Sequence, residues 1–300
     1  MFDCVDFSGA LGQPGAVTSA TPDPAFGSPS DRVLARRRQS LILDEVQRRG
    51  AVRVSELTTM FSVSDMTIRR DLDVLTGGGL VEKVHGGATT RNPHSTDEPG
   101  FEAKSHRQQS EKQAIAEAAA ALVQPGTAIG ITAGTTTWEF ARLIVDIADL
   151  TVVTNSVRVG DVLHQARRPD LTVVLTGGVR TPSDALVGPV AVSALRSLHV
   201  DLVFMGVHGM TDRAGFSTPN ISEAETNRAF IASAERLVVL ADHTKWGLRG
   251  LSTIAPLSEA DTIVSDANLA AEARDILSGT VRTVVIAAPP DRAPSRRRGA

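Results

Sequence analysis

The chain has 300 residues, 42% of them apolar and 22% charged, with a formal net charge of −3. That length allows two modest domains with their own cores. Cys4 is the only cysteine and the seven histidines are scattered, which excludes an intrachain disulfide and a cysteine-rich zinc site and leaves no metal-ligand spacing. No apolar run approaches the roughly 20 residues of a membrane-spanning helix; the longest, at 237–241 and 281–288, read as buried strands.

Residues 1–31 are rich in Gly, Pro, Ser and Ala without periodicity, which predicts a disordered leader. Met1-Phe2-Asp3-Cys4-Val5-Asp6 lacks a basic stretch ahead of an apolar one, so no secretory signal is expected and a cytoplasmic protein is. Between Arg36 and Arg49, Leu41, Ile42 and Val46 suit the apolar face of a first helix, stopped by Gly50. Residues 54–61 predict a short second helix with Leu57, Met60 and Phe61 turned inward. Ser62-Val63 is a tight turn. Ser64 then caps a third helix, in which Ile68, Leu72 and Leu75 fall at i, i+4 and i+7 as one buried stripe. After Gly77-Gly78-Gly79, residues 80–88 predict a short hairpin. Over 32–91 this is the order of a winged helix-turn-helix.

The third helix leaves Thr67, Arg69, Arg70 and Asp73 off its stripe, and two adjacent guanidinium forks suit the major groove of double-stranded DNA. Ser64, Thr67, Arg69 and Arg70 are the expected contacts, with Lys83 and His85 of the wing on the backbone or minor groove. Between 32 and 91 there are 11 Lys+Arg against 7 Asp+Glu, a basic segment in an acidic chain. A lone Arg pair is usually a solvated helix face. The cap, the turn, the two preceding helices and the wing favour DNA reading here.

Residues 92–100 are polar, hold two prolines and read as a linker. Ser110-Glu111-Lys112-Gln113 predicts a capping box ahead of an alanine-rich helix, ended by Pro125-Gly126. Apolar runs at 128–132, 151–154, 171–176, 202–206, 237–241, 262–264 and 281–287 then alternate with helical segments. Such alternation over 101–288 predicts an α/β domain with a mostly parallel sheet covered on both faces. Residues 289–300 form a basic tail with Arg296-Arg297-Arg298.

Ligands of an open parallel sheet bind beyond the carboxyl ends of its strands. Here those ends read Thr132-Ala133-Gly134-Thr135-Thr136-Thr137, Asn155-Ser156, Gly177-Gly178-Val179-Arg180, Gly206-Val207-His208-Gly209 and Asp242-His243-Thr244-Lys245. One glycine after a strand is often only a turn, but five polar ends on one edge predict a pocket. Amides at a helix start beside threonine hydroxyls make an anion cradle. The expected ligand is small, hydroxyl-rich and anionic: a sugar phosphate or sugar acid. Thr132, Gly134, Thr135, Thr136, Asn155, Gly177, Gly178, Arg180, His208, Asp242 and Lys245 are the candidate effector-binding residues.

The run from Ser62 to Leu72, with Leu75, Gly79-Leu80 and His85-Gly86-Gly87-Ala88, resembles the amino-terminal domain of the DeoR family of bacterial transcription regulators. Phe101-Glu102-Ala103-Lys104-Ser105-His106-Arg107, Glu111-Lys112, Gly134-Thr135-Thr136, Thr154-Asn155-Ser156, Gly177-Gly178-Val179-Arg180, Gly188, Asp201, Gly215-Phe216 and Asp242-His243-Thr244-Lys245 resemble its effector domain. The resemblance implies a sensor domain similar to ribose-5-phosphate isomerase and CoA-transferase folds, and phosphorylated sugar intermediates as effectors. It implies a repressor of carbohydrate catabolism genes on operator DNA; a homo-oligomer setting two recognition helices on a repeated half-site is the expected assembly. There are two departures. Thr132 stands where the family usually has aspartate, and Asn227 where many members carry lysine. The rival reading is an isomerase-like enzyme attached to a DNA-binding domain, with Asp242, Glu223, Glu225 and Lys245 as nominal acid–base groups. Nothing pairs a base with an orienting partner, so neither a catalytic residue nor a cofactor is expected.

Overall fold

The computed structural model describes residues 29–288 apart from 50, 79, 85, 91–95, 97 and 99. The expectations for residues 1–28, for His85 and for the tail at 289–300 lie outside the described residues.

The first unit comprises α1 (Pro29–Arg49), β1 (Ala51–Arg53), α2 (Val54–Phe61), α3 (Asp65–Gly77), β2 (Val81–Val84) and β3 (Gly87–Thr90). Ile42, Val46, Leu57, Ile68 and Leu72 are fully buried at its centre. Helix α1 begins before Arg36, and its inward face carries Leu43 with Ile42 and Val46, leaving Leu41 47% exposed. Helix α2 buries Val54 and Leu57 and packs Phe61 at the core margin, the i, i+3, i+7 stripe. Met60 lies off that stripe and is 50% exposed, against expectation. The predicted wing is present as β2 paired antiparallel with β3. Beyond the prediction, β1 joins it through Val52↔Ala88. A Cβ on Gly87 would lie 2.1 Å from the Val52 carbonyl oxygen, so glycine permits this pairing.

The second unit begins with α4 (Phe101–Ser105) and α5 (Gln109–Ala120) and continues through β4 (Ala128–Ile131), α6 (Thr135–Leu143), β5 (Thr151–Thr154), α7 (Val157–Gln165) and β6 (Thr172–Leu175). A hairpin of β7 (Val179–Arg180) and β8 (Leu186–Val187) leads to α8 (Pro189–Leu195) and β9 (Val200–Gly206). Then come β10 (Gly209–Thr211), β11 (Gly215–Thr218), α9 (Ile221–Ala232), β12 (Ala234–Leu240) and β13 (Ser252–Ala255). The unit closes with β14 (Thr262–Asp266), α10 (Ala271–Thr280) and β15 (Thr283–Ala287).

The seven predicted apolar runs are the seven strands of one sheet, ordered β15-β14-β12-β9-β4-β5-β6, with every neighbouring pair parallel. Alternate residues feed two cores. Leu202, Phe204, Val238 and Leu240 pack beneath α5, α6 and α7, while Val203, Met205, Leu237 and Val239 pack beneath α8, α9 and α10. Each strand is therefore apolar on both faces, which is why its sequence is a continuous apolar run.

The capping box expected at Ser110 is absent. Helix α5 starts after Gln108 in the left-handed region (φ 49°), and the Ser110 hydroxyl donates to the Glu111 carboxylate instead. The chain lays down β4, β5 and β6 in one direction, then returns to place β9 on the other side of β4. At such a reversal, successive loops leave in opposite directions and a crevice opens between the strand ends.

Candidate DNA-reading surface and ligand cleft

The turn between α2 and α3 runs through Ser62 in the left-handed region (φ 52°). Ser64 then caps α3, its Oγ accepting from the Thr67 amide at 3.3 Å and sharing a hydrogen bond with Thr67 Oγ1 at 2.8 Å. Ile68, Leu72 and Leu75 are buried as expected, which turns Asp65, Met66, Arg69 and Arg70 outward. Arg69 pairs with Asp65 one turn earlier, while Arg70 has no carboxylate partner among the described residues. Met66 is 75% exposed at the helix start and makes an apolar tip there. Lys83 on β2 donates to Asp73 at 2.5 Å, joining the wing to the far side of α3.

Asp71 was also passed over. It is 2% exposed and accepts from Arg38 Nε at 2.6 Å and Gln39 Nε2 at 2.8 Å, locking α3 to α1.

In the second unit a cleft sits at the β4/β9 reversal, lined by Gly134, Thr135, Thr136, His208 and Lys245 of the expected set. The first amides of α6 have no acceptor within the helix and open onto it. Thr132 lies just beneath: its hydroxyl accepts from the Gly206 amide at 3.2 Å, tying the two diverging loops together. A neutral side chain suffices for that tie. Asp242 is 1% exposed and caps the turn at 243–245 by accepting from the Thr244 amide at 3.0 Å, which sets Lys245 at the cleft wall.

The other candidates are not brought into the cleft. Asn155 is spent on the backbone, accepting from the Ala133 amide at 3.0 Å and donating to the Leu186 carbonyl at 3.1 Å. Gly177 and Gly178 adopt φ of 72° and 123° to turn from β6 into the hairpin, and a Cβ on Gly178 would meet the Val187 carbonyl oxygen at 2.5 Å. Arg180 is 57% exposed and binds Asp184.

Helices supply what the strand ends lack. Lys104 of α4 and Glu223 and Asn227 of α9 line the cleft, with Glu98, Ser183 and Thr218. Glu223 and Asn227 share one helix face at i, i+4. The Glu223 carboxylate accepts from the Thr181 hydroxyl at 3.0 Å and the Thr218 hydroxyl at 3.1 Å. Burial pushes its carboxyl above the ordinary glutamate range, with Lys104 pulling the other way. Lys104 donates to Ser183 Oγ at 2.9 Å, and burial holds its ammonium below the ordinary lysine range. Behind it Lys112, 3% exposed, donates to the Lys104 carbonyl at 2.6 Å. Burial first, then the nearby Lys245, brings Lys112 down to about 8. Arg107 is lowered by burial too, and its Nε is buried without a hydrogen-bond partner among the described residues. Lys104 and Lys245 thus line the cleft, with Lys112 and Arg107 buried near them. The signal for Lys104 was in the sequence, within the Phe101–Arg107 motif, but no strand pattern pointed to it.

Residues 38–94 match the family model of the DeoR-like helix-turn-helix domain, and residues 107–267 match that of the DeoR C terminal sensor domain. The chain belongs to the DeoR family. This DeoR regulator is 37% identical to the uncharacterized HTH-type transcriptional regulator YgbI of Escherichia coli K12, over 77% of this chain and 90% of that one. It is 30% identical to the HTH-type transcriptional repressor CsqR of the same strain, over 76% and 87%. It is 33% identical to the L-fucose operon activator of Haemophilus influenzae, over 77% and 92%. A ribose 5-phosphate isomerase A from Neisseria gonorrhoeae superposes with a TM-score of 0.35 and 19% identity, covering 48% of this chain and 56% of that one, too distant to carry a functional argument. The regulator is a DNA-binding transcription factor with a small-molecule sensor domain and is not an enzyme, so the isomerase reading falls. No helix among its described residues is long and apolar enough to cross a membrane.

Proposed function

We propose that the regulator is a homo-oligomeric repressor of carbohydrate catabolism genes, released from operator DNA in the cytoplasm by a phosphorylated or acidic sugar. The observation that carries this reading is the cleft at the β4/β9 reversal, lined by Gly134, Thr135 and Thr136 at the start of α6 together with Lys104 and Lys245. Ammonium groups beside hydroxyls and helix-start amides suit a small ligand that carries both a negative charge and hydroxyls. On the DNA side, Arg69 and Arg70 reach base edges or phosphates from α3. Ser64 and Thr67 meet the backbone at its start, Met66 touches thymine methyl groups, and Lys83 and His85 follow in the wing. The ligand controls binding by having different affinities for two arrangements of the winged helices. A transcriptional repressor among the relatives supports repression, and an L-fucose operon activator supports the sugar class while showing that relatives also activate.

The test is titration of the complex between the protein and its own upstream DNA with sugar phosphates, sugar acids and polyol phosphates. Release by one compound is expected. Tightening by that compound would reverse the sign, and indifference to all of them would remove the sugar effector.

A further inference from the structure

The inter-domain segment does not merely span the gap between the two units. Phe101 is 6% exposed, packs edge-on against Trp138 of α6 at 5.8 Å and lies under the Arg158 guanidinium at 4.9 Å. Its amide donates to the Pro182 carbonyl at 3.1 Å. Three residues earlier, the Glu98 carboxylate accepts from the Ser183 hydroxyl at 3.4 Å and from Asn220 Nδ2 at 3.0 Å. Ser183 is the same residue to which Lys104 donates, so the order is ammonium, hydroxyl, carboxylate along one cleft wall. The free space that remains is about 70 Å³. Small-molecule sites are typically roughly 300–1,000 Å³.

We propose that Glu98 is an internal occupant of the cleft: a carboxylate of the inter-domain segment holds polar groups that an anionic ligand needs, and the ligand must displace it. This rests on reading the cleft as the ligand site. It makes the segment joining the two units a direct competitor of the ligand. Arrival of an anion beside Lys104 brings it against the charges of Glu98 and Glu223. Glu223 sits on α9 and is held by the Thr181 and Thr218 hydroxyls, whereas Glu98 itself lies outside any helix or strand and is the one that yields. Releasing it loosens the tether of the winged helix, which is how occupancy is communicated without a change in the sheet.

The experiment uses the full chain, inorganic phosphate as the probe, and Glu98→Gln with Glu102→Gln as its control. Glu102 lies four residues further on, in α4, but is exposed and pairs with Arg158. In the wild type, phosphate is expected to speed hydrogen exchange at the Phe101 amide. In Glu98→Gln, that exchange is fast without phosphate, and phosphate binds about three- to tenfold tighter at low ionic strength, while Glu102→Gln matches the wild type. Equal phosphate affinity in wild type and Glu98→Gln overturns the inference alone. So does equal tightening in both variants, which makes the effect one of general charge. Failure of phosphate to bind any of the three proteins overturns the anion-cleft reading, and the inference falls with it.

Discussion

Three carboxylates lie on α3, and only Asp71 is buried. With Arg38 and Gln39 as partners it cross-braces α3 against α1. Removing one partner of a buried pair leaves the other uncompensated, a loss of about 3 kcal/mol. Asp71→Ala is expected to lower the unfolding midpoint of the winged helix in a denaturant titration, whereas Asp73→Ala on the exposed face changes stability by no more than about 0.5 kcal/mol. Lys112 gives a pH signature. Its folded value of about 8 lies below the ordinary lysine value of 10.5, so between the two the unfolded chain binds more protons and stability rises with pH. Measured against Lys112→Met, the wild type gains stability from near pH 8 to near pH 10; a flat difference would show that Lys112 titrates normally. At this scale the sequence was only partly legible. Polarity marks a strand end, but it does not say whether a side chain faces the cleft or, like Asn155, closes backbone bonds behind it.

Among the elements, the parallel strands were legible because their alternate residues feed cores on both faces and each prints a continuous apolar run. The strands β1, β7, β8 and β10 have only two or three residues each, too few for alternation to register. The capping box at Ser110 failed for a related reason: Ser110 and Gln113 stood at the right spacing, but the backbone entered the helix through Gln108, the Ser110 hydroxyl bonded Glu111 and the Gln113 amide donated to Glu117. Helix α3 is the element on which DNA reading is staked. Arg70→Ala is expected to weaken operator binding by about 1–3 kcal/mol if the side chain reads a guanine, and to reduce the salt slope if it holds a phosphate. Arg69→Ala is expected to cost less, because Asp65 already engages that guanidinium. Unchanged affinity and salt slope in both variants would remove α3 from the interface.

For the whole molecule, the two units divide reading from sensing, so a cleft substitution and a helix substitution separate cleanly. Lys245→Ala is expected to leave operator affinity within about twofold and to abolish release by the ligand. Loss of DNA binding in that variant would mean the units are not separable. The order in which the sheet is assembled has a temporal consequence. The winged helix is complete once the chain has reached β3, with Val52 paired to Ala88. The central pair of the sheet closes only when Leu202 can meet Ile129. At roughly 5–20 residues per second of synthesis, about 6–20 s separate those moments. Every newly made molecule therefore passes through an interval in which a complete winged helix trails from the ribosome before the cleft of the second unit exists, and the earliest strand of that cleft must wait, unpaired on one side, for a partner more than seventy residues away.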